Sequence, residues 1–270
     1  MPRPARCRPT PPRCSRRGCG CPRSGSPTRC GRSSPPTRRT PAERAGDLDA
    51  QVGANQVGVA RLRALGGEPL AEALEYGERR MRAALAELPR GTWAFEDVVD
   101  SFGPGDHQQV ETIIRVRLTI DDGGATFDFT GTDEQRAGNV NAVEAVTVSA
   151  VAFALRSVLD PSIPANGGAL RPLHVVAPEG TIVNARPPTA VGAGNVEVSQ
   201  RVADVCLGAL ATARPGTVGA ASQGTMNNLL VGGATGAGPD HDEAWVYYET
   251  IGGGQGGRWF APACRACTRP

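Results

Sequence analysis

The strongest constraint on the fold is a β-hairpin pattern between residues 110 and 130. Apolar and polar residues alternate from Val110 to Ile120, which is the period of a strand with one buried face. The turn Asp121-Asp-Gly-Gly follows, and Ala125–Thr130 continues as a second strand. Neighbouring strands joined by so short a turn pair antiparallel, so the chain must contain antiparallel sheet.

Helical patterns flank this hairpin. The predicted helices cover residues 48–65, 70–88, 142–159 and the stretch from Gly194 to about Arg214. Further strands are predicted at 92–99, 173–176, 181–184 and 244–250, with a short one near Val218. Trp93, Phe95 and His174 are expected in the core. With 35 Gly and 23 Pro, the sequence predicts an α+β fold of mixed, largely antiparallel sheets with packed helices, whose Gly/Pro-rich loops form the site.

The two ends differ in composition from the body. Residues 1–40 hold no acidic residue and five of the eight cysteines, and they show no apolar periodicity. We expect this segment to be disordered or translated out of frame. The alternatives are a zinc site, a transit peptide and an arm that binds phosphate groups. Residues 259–270, with Cys264 and Cys267, are interpreted as an unrelated tail. The predicted domain therefore spans residues 41–258.

Charge and residue usage narrow the function classes. The net charge of +2 gives no reason to expect a nucleic-acid partner, and every basic residue is arginine. Without lysine, the chain has neither a P-loop lysine nor a Schiff-base lysine. The body carries one cysteine, Cys206, which suits a reducing cytoplasm. We expect a cytoplasmic location and no membrane partner.

Polar loops rich in glycine are the candidate site. In Val183–Arg201, two prolines and the glycines Gly192 and Gly194 precede a helix that opens with Asn195 and Glu197. Clusters around Asn139, Asn166, Gln223–Asn228 and Gly252–Gln255 share this composition, so we expect one site. Asn and Gln orient carbonyl groups without adding charge.

The stretch Gly192-Ala-Gly194 begins like a dinucleotide fingerprint, but Glu197 occupies the third glycine position and no buried strand precedes it. Two interpretations remain: a helix start that binds anions or carbonyl oxygens, and a glycine loop used for tight packing. Glu197 and Glu249 are both candidate general bases. Gly252–Arg258 is a weak candidate for an anion-binding nest, and His107 and Asp240–Glu243 are interpreted as solvated loops.

Eight ordered motifs resemble one enzyme family. They include Phe129-Thr-Gly-Thr, Gly138-Asn-Val-Asn, Ala165-Asn-Gly-Gly, Asn184-Ala-Arg-Pro-Pro, Gly194-Asn-Val-Glu-Val-Ser-Gln-Arg, Ala221-Ser-Gln-Gly-Thr-Met-Asn-Asn and Tyr247-Tyr-Glu-Thr-Ile-Gly-Gly-Gly. Over about Pro41–Arg258 the chain resembles the hydantoinase B/5-oxoprolinase family, which includes N-methylhydantoinase B and components of acetone and acetophenone carboxylases.

The resemblance implies a B-type part of an ATP-dependent cyclic amidohydrolase that opens oxoproline or hydantoin rings within a hetero-oligomer. A hydantoinase A-type subunit would bind ATP and magnesium, and this chain no cofactor. Family members carry a Gly-Thr-His-type motif and metal-binding residues in a long N-terminal region. Residues 1–44 do not match that region, so any divalent metal is expected in the family's N-terminal region and not in this chain. The alternatives are a ketone carboxylase subunit and a non-catalytic remnant or gene-model fragment that keeps a folding core or docking surface.

The residues that we expect to act follow from the loops and the resemblance together. The catalytic candidates are Glu197, Asn195 and Gln223. The substrate-binding candidates are Asn139, Asn141, Arg186, Gly192, Gly194, Asn227, Asn228, Gly253 and Gly254. No metal ligand is predicted within this chain.

Overall fold

A computed structural model describes residues 41–66, 68–101, 109–235, 243–253 and 257. It confirms an α+β fold with a partly antiparallel sheet. The elements are α1 (Pro41–Leu65), α2 (Glu68–Ala86), β1 (Gly91–Val99), β2 (Thr112–Asp121), β3 (Gly124–Asp128), α3 (Glu144–Val158), α4 (Gly167–Leu170), β4 (Leu173–Val176), α5 (Val198–Ala213), β5 (Asn228–Thr235) and β6 (Glu243–Thr250).

The main sheet has four strands in the order β1-β2-β3-β4. The predicted hairpin is confirmed, since β2 and β3 pair antiparallel and Asp121 lies opposite Gly124. Strand β1 adds antiparallel to β2, whereas β4 pairs parallel with β3. The alternation in β2 has its expected physical cause: Ile114, Val116, Leu118 and Ile120 all point into the core.

Helices α3 and α5 provide much of the remaining core. Val151 and Leu155 of α3 and Val202 and Val205 of α5 are fully buried. Helix α5 also approaches β1 closely, because a Cβ on Gly208 would lie 2.6 Å from Phe95 Cδ1. Helix α5 is therefore both a core element and the element that begins at the candidate site.

Several sequence predictions were wrong in detail. Residues 181–184 form isolated bridges and a turn, and no strand forms near Val218, because both stretches lack a partner strand within the described chain. Strand β5 was not predicted. His174 is exposed, since it points away from the core on the outer face of β4, and Phe95 keeps an exposed fraction of 40%.

Strands β5 and β6 form a separate two-stranded ribbon with apolar residues on both faces. On one face, Leu230 pairs with Tyr248, with exposed fractions of 67% and 55%. On the other face, Val231 pairs with Tyr247, and both are also exposed. The ribbon thus buries little of its apolar surface against the rest of the described chain.

Helix α1 is likewise exposed along most of its length, including Leu62 and Leu65. Among the described residues, no helix combines the length and apolar character needed to cross a bilayer. The predictions for residues 1–40 and 259–270 fall outside the described part of the chain.

Two phenylalanines offer a matched test of the core. Phe127 on β3 is fully buried, whereas Phe153 on α3 has an exposed fraction of 61%. Phe127→Ala should lower the free energy of unfolding by about 3–5 kcal/mol, because it removes buried apolar area and leaves a cavity. Phe153→Ala should change it by less than about 0.5 kcal/mol. Chemical denaturation measures both, and equal losses would contradict this arrangement of the core.

Candidate functional site

The buried carboxamide of Asn141 holds the first polar segment of the site in place. Its two Nδ2–H donors are shared among the carbonyl oxygens of Arg136, Gly138 and Ala190, which lie at 2.9, 3.0 and 3.0 Å. Its Oδ1 accepts from the Arg136 N–H at 2.7 Å. Asn141 is fully buried, and these bonds occupy its amide. This side chain therefore organises the loop, and substrate binding by Asn141 stays a prediction.

Gly192 and Gly194 lie directly against that segment. The exposed Asn139 accepts from the Gly192 N–H through Oδ1 at 2.7 Å, and the Asn139 carbonyl accepts from the Ala193 N–H at 2.8 Å. A Cβ on Gly194 would overlap the carbonyl oxygen of Asn141. The backbone N–H groups of Gly192, Ala193 and Gly194 are all bonded within the protein. The geometry favours the packing interpretation of this glycine loop.

Asn195 and Glu197 follow this loop at the start of α5. Asn195 is exposed, and its side chain has no hydrogen-bond partner among the described residues. Glu197 is half-buried at the N-cap position and makes no capping hydrogen bond through its side chain. Burial raises the pKa of the Glu197 carboxyl, while the positive charge of Arg201 acts in the opposite direction. Glu197 thus keeps its proton to a higher pH than a free glutamate.

A second loop, residues 223–228, meets the first one. The Met226 N–H donates to the Val196 carbonyl at 3.2 Å, which joins the two loops at the start of α5. The Gln223 Nε2 donates to the Thr225 carbonyl at 2.9 Å. Gly253 lies so close to the Gln223 side chain that a Cβ there would overlap its amide. The polar loops of Asn139, Gly192, Gln223 and Gly253 are therefore brought together.

Asn227 and Asn228 mark the step from this loop into the ribbon. Asn227 Oδ1 accepts from the Thr225 hydroxyl at 2.9 Å, and the Asn227 carbonyl accepts from the Ile251 N–H at 2.8 Å. Asn228 Oδ1 accepts from the Tyr248 hydroxyl at 2.7 Å, while its Nδ2 donates to the Met226 carbonyl at 2.7 Å. Both amides support local turn and strand structure, and substrate binding by them stays a prediction.

Two other candidates have different surroundings. Arg186 is exposed, lies 3.5 Å from Glu179 through its Nε, and immediately precedes the cis Pro187–Pro188 bond. Asn166 caps α4 and donates to the Ala73 carbonyl of α2 at 2.9 Å, so it does not join the loops. Gly254, His107 and Arg258 lie outside the described residues.

The sequence interpretation missed a charged group beneath the second loop. Arg201 of α5 forms an ion pair with Asp97 of β1, and its Nη1 lies 3.7 Å from Asp204 Oδ2. Burial is the main cause that raises the pKa of Asp204. Glu197, Arg201 and Asp204 recur at helical spacing on one face, which is a signal that the sequence did offer. Within the described chain, no three His, Cys, Asp or Glu side chains are placed to hold a metal ion.

Comparison with known proteins places this geometry in a family context. A family profile described as hydantoinase B/oxoprolinase matches residues 27–268. An uncharacterized protein of Methanocaldococcus jannaschii is 38% identical over 226 residues, covering 81% of this chain and 37% of that protein. The 5-oxoprolinase 1 of Arabidopsis thaliana is 36% identical over 240 residues, covering 82% of this chain and 18% of that protein.

Two further similarities bear on assembly and fold. The B-type subunit of a putative D-/L-hydantoinase of Pseudomonas sp. is 31% identical over 238 residues, covering 82% of this chain and 39% of that protein. The crystal structure of the ATP-dependent caprolactamase from Pseudomonas jessenii superposes with a TM-score of 0.67 at 24% identity, covering 85% of this chain and 40% of that one. The latter similarity concerns the fold. The chain spans well under half the length of each of these proteins.

Asn141 and Asn195 provide a matched pair for the structural role of the buried amide. Asn141→Ala should lower the free energy of unfolding by at least about 2 kcal/mol, because three carbonyl groups and one N–H lose a buried partner. Asn195→Ala removes an exposed side chain and should cost less than about 0.5 kcal/mol. Denaturant titration of both variants measures the difference. A tolerated Asn141→Ala would contradict the organising role.

The two glycines of the first loop should differ in their tolerance of alanine. Gly194→Ala forces a Cβ into the backbone of Asn141, which must move, so we expect a loss of about 1–3 kcal/mol in stability. In Gly192→Ala, the new Cβ would lie 2.8 Å from Asn139 Oδ1, the end of an exposed side chain that can rotate away. Thermal or chemical denaturation should therefore show that Gly194→Ala is much less stable than Gly192→Ala. The reverse order of stability would refute the packing interpretation.

Proposed function

The chain belongs to the hydantoinase B/oxoprolinase family, and on this premise we propose that it supplies the B-type part of an ATP-dependent enzyme that opens cyclic amides. The observation that carries the proposal is the meeting of two amide-bearing loops beside a half-buried carboxyl group. Asn195 and Glu197 begin α5, and the Met226–Val196 hydrogen bond holds the Gln223 loop against the same end of that helix.

The chemistry of ring opening matches these residue types. A cyclic amide is opened by attack of water on its carbonyl carbon, after which the ring nitrogen must receive a proton. In the proposal, the amides of Asn195 and Gln223 donate hydrogen bonds to the carbonyl oxygen, on which negative charge develops. Glu197 accepts the proton of the attacking water and returns it to the leaving nitrogen. A raised carboxyl pKa suits that double role because it brings the group closer to neutral pH.

The names of the relatives support a partner and a substrate class for this proposal. The Pseudomonas relative is named as one component of a hydantoinase, which supports a separate A-type subunit as the partner. In this proposal ATP and magnesium are held by that A-type partner. The names of the relatives support 5-oxoproline and hydantoins as substrates to test first. Since the described residues offer no group of metal ligands, no step of the proposal uses a metal in this chain.

A non-catalytic docking role is the second candidate. The exposed ribbon favours it, because Leu230, Val246 and Tyr248 leave an apolar surface with exposed fractions of 67%, 71% and 55%. In this role the chain would bind the A-type subunit without contributing to the reaction.

Turnover by the full chain with a purified hydantoinase A-type subunit tests the proposal. The mixture should hydrolyse ATP and open 5-oxoproline or hydantoin, measured as the ring-opened product. Glu197→Gln should lower kcat by roughly 10²–10⁴-fold, because the proton-transfer group is lost. Glu87→Gln, at an exposed position just after α2, should leave kcat unchanged.

Three outcomes would redirect the assignment. Loss of turnover in Glu249→Gln but not in Glu197→Gln would move the proton-transfer role to the other acidic candidate. Turnover of acetone with bicarbonate, and of neither cyclic amide, would identify a ketone carboxylase. Binding of the A-type subunit without any turnover would identify the docking role.

A further inference from the structure

Asp97, Arg201 and Asp204, here termed the Arg201 cluster, have no part in the reaction proposed above. Their side chains have exposed fractions of 32%, 18% and 16%, so the charges lie in a partly buried position between β1 and α5. The Arg201 guanidinium is ion-paired with Asp97 and lies 3.7 Å from Asp204 Oδ2, which has no hydrogen-bond partner within the described chain. Partly buried charged groups of this kind occur in functional sites and also in ion-pair networks that only stabilise the fold.

The backbone of the second loop lies directly on this cluster. Gly224 has a φ of +70°, a conformation that favours glycine. A Cβ at Gly224 would lie 2.5 Å from Arg201 Nη2 and 2.9 Å from Asp204 Oδ2. The residue before Gly224 is Gln223, and two residues after it Met226 bonds to Val196. The loop therefore has two supports, the guanidinium at Gly224 and the start of α5 at Met226.

The charges around the guanidinium explain why arginine occupies this position. Asp97 faces it from β1, whereas Asp204 and Glu197 share its helix, and residues 220–228 of the loop are uncharged. Without the positive charge, carboxyl groups would approach each other in a partly buried place. A planar guanidinium can contact two carboxylates and still present a flat surface to a glycine, which an ammonium group cannot do.

We propose that Arg201 is a positioning residue of the candidate site: its guanidinium, fixed by Asp97 and Asp204, sets the Gln223 loop against the Glu197 end of α5. The use of that alignment in catalysis rests on the proposed function. The contact by which Arg201 holds the Gln223 loop in place does not depend on the proposed function. It can be tested in the full chain without substrate.

Two substitutions of Arg201 separate its shape from its charge. Arg201→Lys retains the charge but loses the flat, bridging group, and Arg201→Gln loses both. In both variants, amide hydrogen exchange over residues 223–228 should accelerate by about tenfold or more, with little change in β2. Gly224→Ala should accelerate exchange over the same residues with Arg201 intact. Arg117→Lys, whose ion pair with Asp128 at 3.9 Å lies on the main sheet, is the matched control and should leave the loop unchanged.

A second measurement detects a role that simple destabilisation would not reproduce. Arg201 opposes the effect of burial on the pKa of Glu197, so removal of its charge should raise that pKa further. Carbon NMR titration of the Glu197 carboxyl should give a higher midpoint in Arg201→Gln and one near the wild-type value in Arg201→Lys. Loop exchange should nevertheless be fast in both variants.

The outcomes distinguish this inference from the proposed function. Unchanged loop exchange in Arg201→Lys and Gly224→Ala would overturn the positioning role, whatever the turnover. Uniformly faster exchange across β2 and the loop would also overturn it, since Arg201 would then only stabilise the fold. Local acceleration in a chain that shows no turnover with an A-type subunit would confirm the link while refuting the catalytic function.

Discussion

The hydrogen bonds of the Asn141 side chain are the interactions on which the polar loops of this protein depend. One buried carboxamide connects Arg136, Gly138 and Ala190, and the carbonyl oxygen of the same residue sets the distance to Gly194. Hydrogen bonds in such a low-dielectric position are strong when all are formed and costly when one is missing. Residues 136–141 and Ala190, about 50 positions apart in sequence, are thus held together by one buried amide.

Helix α5 connects these polar loops to the hydrophobic core. Val198, Val202 and Val205 bind it into the core, which fixes the direction in which the helix begins. The Glu197–Arg201–Asp204 face of the same helix is left for charge, where the guanidinium meets both β1 and the second loop. Core packing and site geometry are therefore coupled through helix α5, so a substitution that shifts the helix in the core also shifts the residues of the site.

The sequence predicted what depends on local periodicity and failed where distant partners decide. The hairpin of β2 and β3 and the four longer helices followed from residue patterns, whereas the short α4 was not predicted and β5 was missed because Gly232 and Gly233 interrupt its apolar run. Residues 181–184 looked like a strand, yet Ile182 and Val183 are buried in a turn.

Within the site, composition grouped the loops of Asn139, Gln223 and Gly253 correctly and that of Asn166 wrongly. It could not distinguish the buried Asn141 from the exposed Asn139. Nor could it join Arg201 to Asp97, which precedes it by 104 positions. In terms of folding cooperativity, the β5–β6 ribbon is weakly coupled to the core, since its large apolar side chains are already 40–71% exposed. Detaching it uncovers little new surface, so this opening has a small m-value and a low free energy, well below that of global unfolding.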